Sequence, residues 1–226
     1  MRTIKDCLLL LCGLAVSTVC SADRVARIIY YGAPTNAPQT TYVYQADQEP
    51  QEIRLDSHNF SESFDLSPGS NRLAFLPSLL TEDAPVPQAA PMLNIPEDWN
   101  KVLILAFEDK ENPVLPIRLK AINANENVFG SGDTLFVNFS DVTVAGYVGD
   151  KKLISKPRST ARITNPRSGI GNYMIKLDVF ETDENIRRRL VQQKCQYNPA
   201  MRVVTFFVPM PPPRKVKVYS APIWDF

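Results

Sequence analysis

The sequence predicts an all-β chain built as one or two antiparallel β-sandwiches of immunoglobulin-like kind, and three observations carry that expectation. Nineteen prolines against nine glycines are scattered among short apolar runs, and proline both removes an amide donor and blocks the preceding helical turn. Several runs alternate apolar and polar side chains with a period of two, as half-exposed strands do. Two others, residues 102–107 and 203–208, are apolar on both faces and rich in branched or aromatic residues, the pattern of a central strand covered on each side.

In chain order, Arg2 and Lys5 precede an apolar run over residues 8–19, and Ser21-Ala22 then meet the charged Asp23-Arg24. That order predicts a secretory signal peptide over residues 1–22, because the run falls short of the roughly 20 apolar residues a membrane span requires. Cleavage is expected between Ala22 and Asp23, with Cys20 and Ala22 as the small residues before the cut. Acylation at Cys20 is disfavoured by the bulky Val19 beside it. Strands follow at 24–31, 41–46 and 52–55. Over 60–66, Phe60, Phe64 and Leu66 fall on one face and Ser61, Ser63 and Asp65 on the other. After a strand at 72–76, the five prolines of residues 77–96 read as a long surface loop. Beyond 102–107, Leu115, Ile117, Leu119 and Ala121 alternate with Arg118 and Lys120.

Apolar periodicity stops near residues 123–133, which divides an acidic half, 23–122, from a basic half, 123–226. Further strands are expected at 134–139, 143–148, 160–164, 203–208 and 215–219, and where Tyr173, Ile175, Leu177 and Val179 alternate with Lys176 and Asp178. Turn residues separate most of them, among them Gly149-Asp150 and Asn198-Pro199. Residues 183–197 stay open between a helix with Ile186, Leu190 and Cys195 on one face and the first arm of a hairpin. Each half ends in a core-like strand, a proline-containing turn and an alternating strand, at 102–121 and 203–219, as a duplication would produce.

Charge divides along the same line. Residues 23–122 hold 8 Lys and Arg against 14 Asp and Glu, a net of −6, whereas residues 123–226 hold 15 against 9, a net of +6. The halves attract one another, or chains associate head to tail, or the basic half meets an anionic surface. Removing 22 of the 226 residues also removes Cys7, Cys12 and Cys20, so Cys195 stays as one thiol in 204 residues. No internal disulfide is then possible, and a chain of this length can rely on its core instead. Cys195 reads as a small buried hydrophobe.

No catalytic, metal or cofactor motif emerges. His58, the one histidine, lies in the polar turn Asp56-Ser57-His58-Asn59 and has no Gly-x-Ser-x-Gly elbow to serve. With His58 and Cys195 as the sole nitrogen and sulfur donors, a zinc site is not expected. Pro209, Pro212 and Arg214 fit a Pro-x-x-Pro-x-Arg peptide, read here as a rigid interstrand loop. Asn59 and Asn138 open glycosylation sequons that matter in a eukaryotic host. Two surfaces invite a partner: the basic run Arg187, Arg188 and Arg189, suited to an anionic polymer or acidic protein face, and the aromatics Tyr30, Tyr31, Tyr42 and Tyr44, suited to stacking on sugars.

On its leader, its strand-rich pattern and its lack of disulfides, the chain resembles the uncharacterised β-sandwich proteins that bacteria export. The resemblance implies a periplasmic or extracellular location and transfers no functional residue. The function expected is non-catalytic: contact with a protein or a cell-surface polysaccharide through edge strands or the charged halves. Self-association is open, and neither a nucleic-acid partner nor insertion in a membrane is expected. The alternatives are a carbohydrate-binding module and, behind it, a hydrolase with paired carboxylates.

Overall fold

Among the described residues the chain forms sixteen strands, many of them with apolar side chains at every second position, and no helix. The computed structural model describes residues 24–69, 71–81, 84–181, 186–211, 216–224 and 226. The segment 1–22 with the Ala22-Asp23 junction, and Pro212 and Arg214 of the proline motif, lie outside the described residues.

The first eight strands are β1 (Val25–Tyr30), β2 (Thr40–Tyr44), β3 (Gln51–Arg54), β4 (Phe64–Asp65), β5 (Asn71–Leu76), β6 (Met92–Ile95), β7 (Lys101–Glu108) and β8 (Ile117–Asn123). The second eight are β9 (Thr134–Asn138), β10 (Thr143–Val148), β11 (Lys151–Ser155), β12 (Thr160–Ile163), β13 (Gly171–Glu181), β14 (Ile186–Tyr197), β15 (Arg202–Pro209) and β16 (Val216–Ile223). They form four sheets of four strands, in the orders β4-β1-β7-β8, β3-β2-β5-β6, β12-β9-β15-β16 and β11-β10-β13-β14. Adding eight to each strand number of the first two sheets yields the last two. Even the two parallel pairings repeat, β1 with β7 and β9 with β15, and these depart from the wholly antiparallel expectation.

Three apolar clusters stack the sheets in the order β3-β2-β5-β6, β4-β1-β7-β8, β12-β9-β15-β16, β11-β10-β13-β14. Val43, Leu73 and Phe75 meet Ile28, Val102 and Ile104 between the first two layers. Phe136 and Phe207 meet Val144, Leu177 and Val179 between the last two. The two inner sheets bury their remaining faces on each other through Ile29, Leu103 and Leu105 on one side and Val137, Val204 and Phe206 on the other. β7 and β15 are therefore covered on both faces, which is why neither shows alternation. Ile29 is cross-strand partner to Leu105, and Val137 to Phe206, so equivalent positions of the two halves meet. Tyr31 extends this contact, with its ring 5.3 Å from Phe206 and 5.0 Å from Tyr219, while Phe107 and Phe139 meet edge to face at 4.8 Å.

A charged group is built into the same region. The Arg202 side chain is 1% exposed and donates from Nη1 to the carbonyls of Ala124 at 2.6 Å and Phe129 at 2.8 Å. Its Nη2 pairs with Glu126, which also takes Lys101 at 3.5 Å. The guanidinium lies 5.9 Å from the Phe129 ring centre and 5.7 Å from that of Phe226.

Two expectations need correction, the choice left open over residues 186–197 is decided, and one strand is added. Residues 77–96 are not one loop, because β6 occupies Met92–Ile95; Pro91 and Pro96 flank it without needing to donate, and as an edge strand it pairs on one side with β5. The alternating strand over 60–66 shrinks to β4. Ser61, expected to face outward, is buried: its Oγ accepts from the Ile28 amide at 3.1 Å and its own amide donates to Ile28 O at 2.8 Å. Residues 186–197 are strand rather than helix, and β14 pairs back to β13 as a second hairpin arm. β11, a strand beyond those expected from the sequence, follows β10 across the Gly149-Asp150 turn. Gly149 sits at φ 64°, and a Cβ there would lie 2.1 Å from Pro166 O, so a larger residue would be both strained and crowded.

Candidate interaction face

Alternation along β10, β11 and β13 sends Val144, Val148, Leu153 and Leu177 into the core, which leaves their neighbours on the solvent side of the sheet β11-β10-β13-β14. There Tyr147 stands between Lys152 on β11 and Lys176 on β13 in direct cross-strand register. The row continues to Gln192 on β14, and Met174 is paired with Lys194 one row away. Strands lie about 4.8 Å apart, so the two lysines flanking Tyr147 project from backbones about 10 Å apart. Large apolar groups share this face with the cations: Tyr147 is 54% exposed, Ile154 50%, Met174 37% and Phe180 37%. Gly146 shapes it from beneath. A Cβ there would stand 2.0 Å from Lys176 O, a close approach of β10 to β13 that glycine alone permits. Next to it, β14 inserts an extra residue opposite Leu177 and Asp178.

The arginine run lies on β14, and two of its members are committed. Asp178 is 4% exposed; Arg187 reaches its Oδ2 at 2.6 Å through Nη2 and 2.7 Å through Nε, and Arg189 reaches Oδ1 at 2.5 Å. Burial alone would raise this carboxyl, but the hydrogen bonds from Arg189 and Arg187 outweigh it and hold the pKa below the usual carboxylate range. Arg189 also bonds Gln192, and Arg187 lies 5.8 Å over the Phe180 ring. Two guanidiniums on one carboxylate leave the cluster with net positive charge. Arg188 lies opposite Val179 on the same strand.

The proposed aromatic surface does not assemble. Tyr30 is fully buried, with its hydroxyl donating to Pro116 O at 3.3 Å. Tyr31 is half-buried between the inner sheets. Tyr42 and Tyr44 are half-buried on the far face of β2, where the Leu80 amide donates to the Tyr44 hydroxyl at 2.7 Å as the chain after β5 folds back to Tyr44. Tyr30 and Tyr31 leave β1 as its alternation ends, and spacing alone did not reveal that one enters the core and the other the seam.

Chemistry elsewhere is modest. His58 is exposed and its Nδ1 lies 2.8 Å from Ser57 Oγ, but Asp56 spends its carboxylate on the backbone amides of His58 at 2.6 Å and Asn59 at 2.9 Å. The acid thus caps a turn instead of orienting the imidazole, as a relay would require. Among the described residues no group of three or more His, Cys, Asp or Glu could hold a metal ion. Asn138 is 1% exposed and its Nδ2 donates to the carbonyls of Val142, Ser155 and Lys156 at 2.9 to 3.2 Å, so the folded chain offers no acceptor at that sequon. Cys195 is half-buried opposite Tyr173, and burial raises its thiol pKa, while burial pushes the Tyr173 phenol up to about 12. A thiol with a raised pKa holds less thiolate at pH 8 than a free one. Disulfide exchange with an aromatic disulfide reagent at pH 8 is therefore expected to run at least about tenfold slower in the folded protein lacking residues 1–22 than in urea, and equal rates would refute the assignment.

No protein-family model matches this chain, and none of the curated proteins matches it in sequence.

Proposed function

We propose that this is an exported, non-catalytic protein that works by contact, and that the contact surface is the solvent side of the sheet β11-β10-β13-β14, which takes an acidic polysaccharide. The observation that carries the reading is the cross-strand row Lys152, Tyr147, Lys176. A sugar ring offers C–H groups to the exposed tyrosine face, and its carboxylates fall to lysines on either side. Lys194 and the positive surplus around Asp178 extend the field. The leader pattern of residues 1–22 supports export. Each half also reads as an immunoglobulin-like sandwich, supported by two four-stranded sheets closed on their own core.

A face serves better here than an edge. β14 is a long outer strand, but its bulge and its run of arginines are the devices that keep an edge from pairing with another chain.

Electrophoresis of the protein through gels containing polygalacturonate or neutral dextran tests the reading. Retardation is expected in the acidic gel alone, weakening as salt shortens the screening length to about 8 Å. The double variant Lys152→Glu, Lys176→Glu should migrate as though no polymer were present, and Tyr147→Ala should bind less. Equal retardation of variant and parent in the acidic gel, each measured against its own mobility in the neutral gel, would exclude this face.

A further inference from the structure

We propose that the seam between the two inner sheets holds a second, separate site, for a small organic anion with a flat apolar body. Beside the packed contact of Phe206 and Tyr31 the seam opens into a cleft of about 480 Å³, within the range of about 300 to 1,000 Å³ usual for ligand sites. Its apolar wall is formed by Tyr31, Phe107 and Phe139, and its cations are Arg118, Lys120 and Arg158. Among the described residues that line it there is no carboxylate.

The cations are placed rather than scattered. Arg118 lies 5.4 Å over the Phe107 ring and Lys120 lies 5.8 Å over Phe139, so aromatic faces hold both heads at the mouth. Arg158 enters from the turn between β11 and β12 with φ 55°, a left-handed backbone that arginine seldom adopts. Its amide donates to Ser140 O at 3.3 Å, and its guanidinium pairs at 2.8 Å with Asp141, a carboxylate 79% exposed and open to screening. Strain of this kind gathers where a side chain must be presented to a ligand. The three bonds from Asn138 Nδ2 to carbonyls fix the wall behind it.

Three positive heads above an aromatic wall select a ligand with both properties. A bare inorganic ion would leave the rings against water, and a neutral aromatic would leave the cations unused. The site shares no residue with the polysaccharide face.

The test uses 1-anilinonaphthalene-8-sulfonate as probe, with its fluorescence followed against the chain beginning at Asp23, and N-phenyl-1-naphthylamine as the same ring system without the sulfonate. Saturable one-site binding of the sulfonate is expected, weakened at least about tenfold in Arg118→Met, Lys120→Met and unchanged in Lys152→Glu, Lys176→Glu. The neutral probe should bind more weakly and respond to neither pair. Should the methionine pair fail to fold, Arg158→Gln, on an exposed turn, must weaken the sulfonate in its place. Absence of saturable binding, equal affinity for the two probes, or binding lost through the Lys152 and Lys176 changes would each overturn the assignment.

Discussion

Arg202→Ala is expected to lower the unfolding free energy by about 3 to 5 kcal/mol. The side chain is 1% exposed and donates to two carbonyls, Ala124 and Phe129, which the fold buries and which alanine leaves without a donor. Glu126 loses a partner as well, but at 57% exposure it can turn to water, so the carbonyls and the vacated space dominate. Burial lowers the guanidinium pKa from its ordinary value while Glu126 and Asp133 oppose the shift, and the group stays charged at any working pH. Lysine keeps the charge but not the planar fork, and should lose an intermediate amount. Methionine fills the space and orphans the carbonyls, so comparison with alanine separates cavity from hydrogen bonding. Urea unfolding followed by circular dichroism measures all three; a loss below about 1 kcal/mol for alanine would mean that the site relaxes and rehydrates.

Phe206→Ala should cost a similar amount, about 3 to 5 kcal/mol, because a fully buried ring is deleted from the centre of the seam. Its neighbours are Tyr31 at 5.3 Å, Tyr219 at 6.0 Å and Phe139 at 6.2 Å, and these rings cannot close the gap without leaving their own partners. Tyr31 belongs to the first half and the others to the second. Hydrogen exchange should therefore show amides of β7 and β15 losing protection together; a loss confined to β15 would show that the halves are stabilised separately.

Much of the strand order was legible, and the failures have physical causes. β10 could be read from Thr143 to Val148 because one face is buried and glycine follows. β14 could not, since its inserted residue lets the adjacent Leu190 and Val191 both pack on the core, which breaks the period of two and imitates a helix. β6 hid between Pro91 and Pro96, which an edge strand tolerates. The candidate face was less legible than the fold. Arg187 and Arg189 looked like free surface charge because their partner, Asp178, lies on another strand, and pairing across strands is a matter of register. Tyr147 carries no signal along the chain because its flanking lysines are neighbours in the sheet rather than in sequence. Arg202 looked like any cation opening a strand, and nothing local foretold its burial.

The doubled eight-strand plan leaves the cleft free to be asymmetric. Were two identical polypeptides to meet through this seam, symmetry would oblige them to place the same side chain at matching sites. Covalent continuity lifts that obligation: Lys120 projects over Phe139 where its counterpart, Tyr219, instead rests on Tyr31. One molecule can thereby own a lopsided mouth, with a lysine over the ring at one of two equivalent positions and a tyrosine at the other, which no homodimer could carve at its axis.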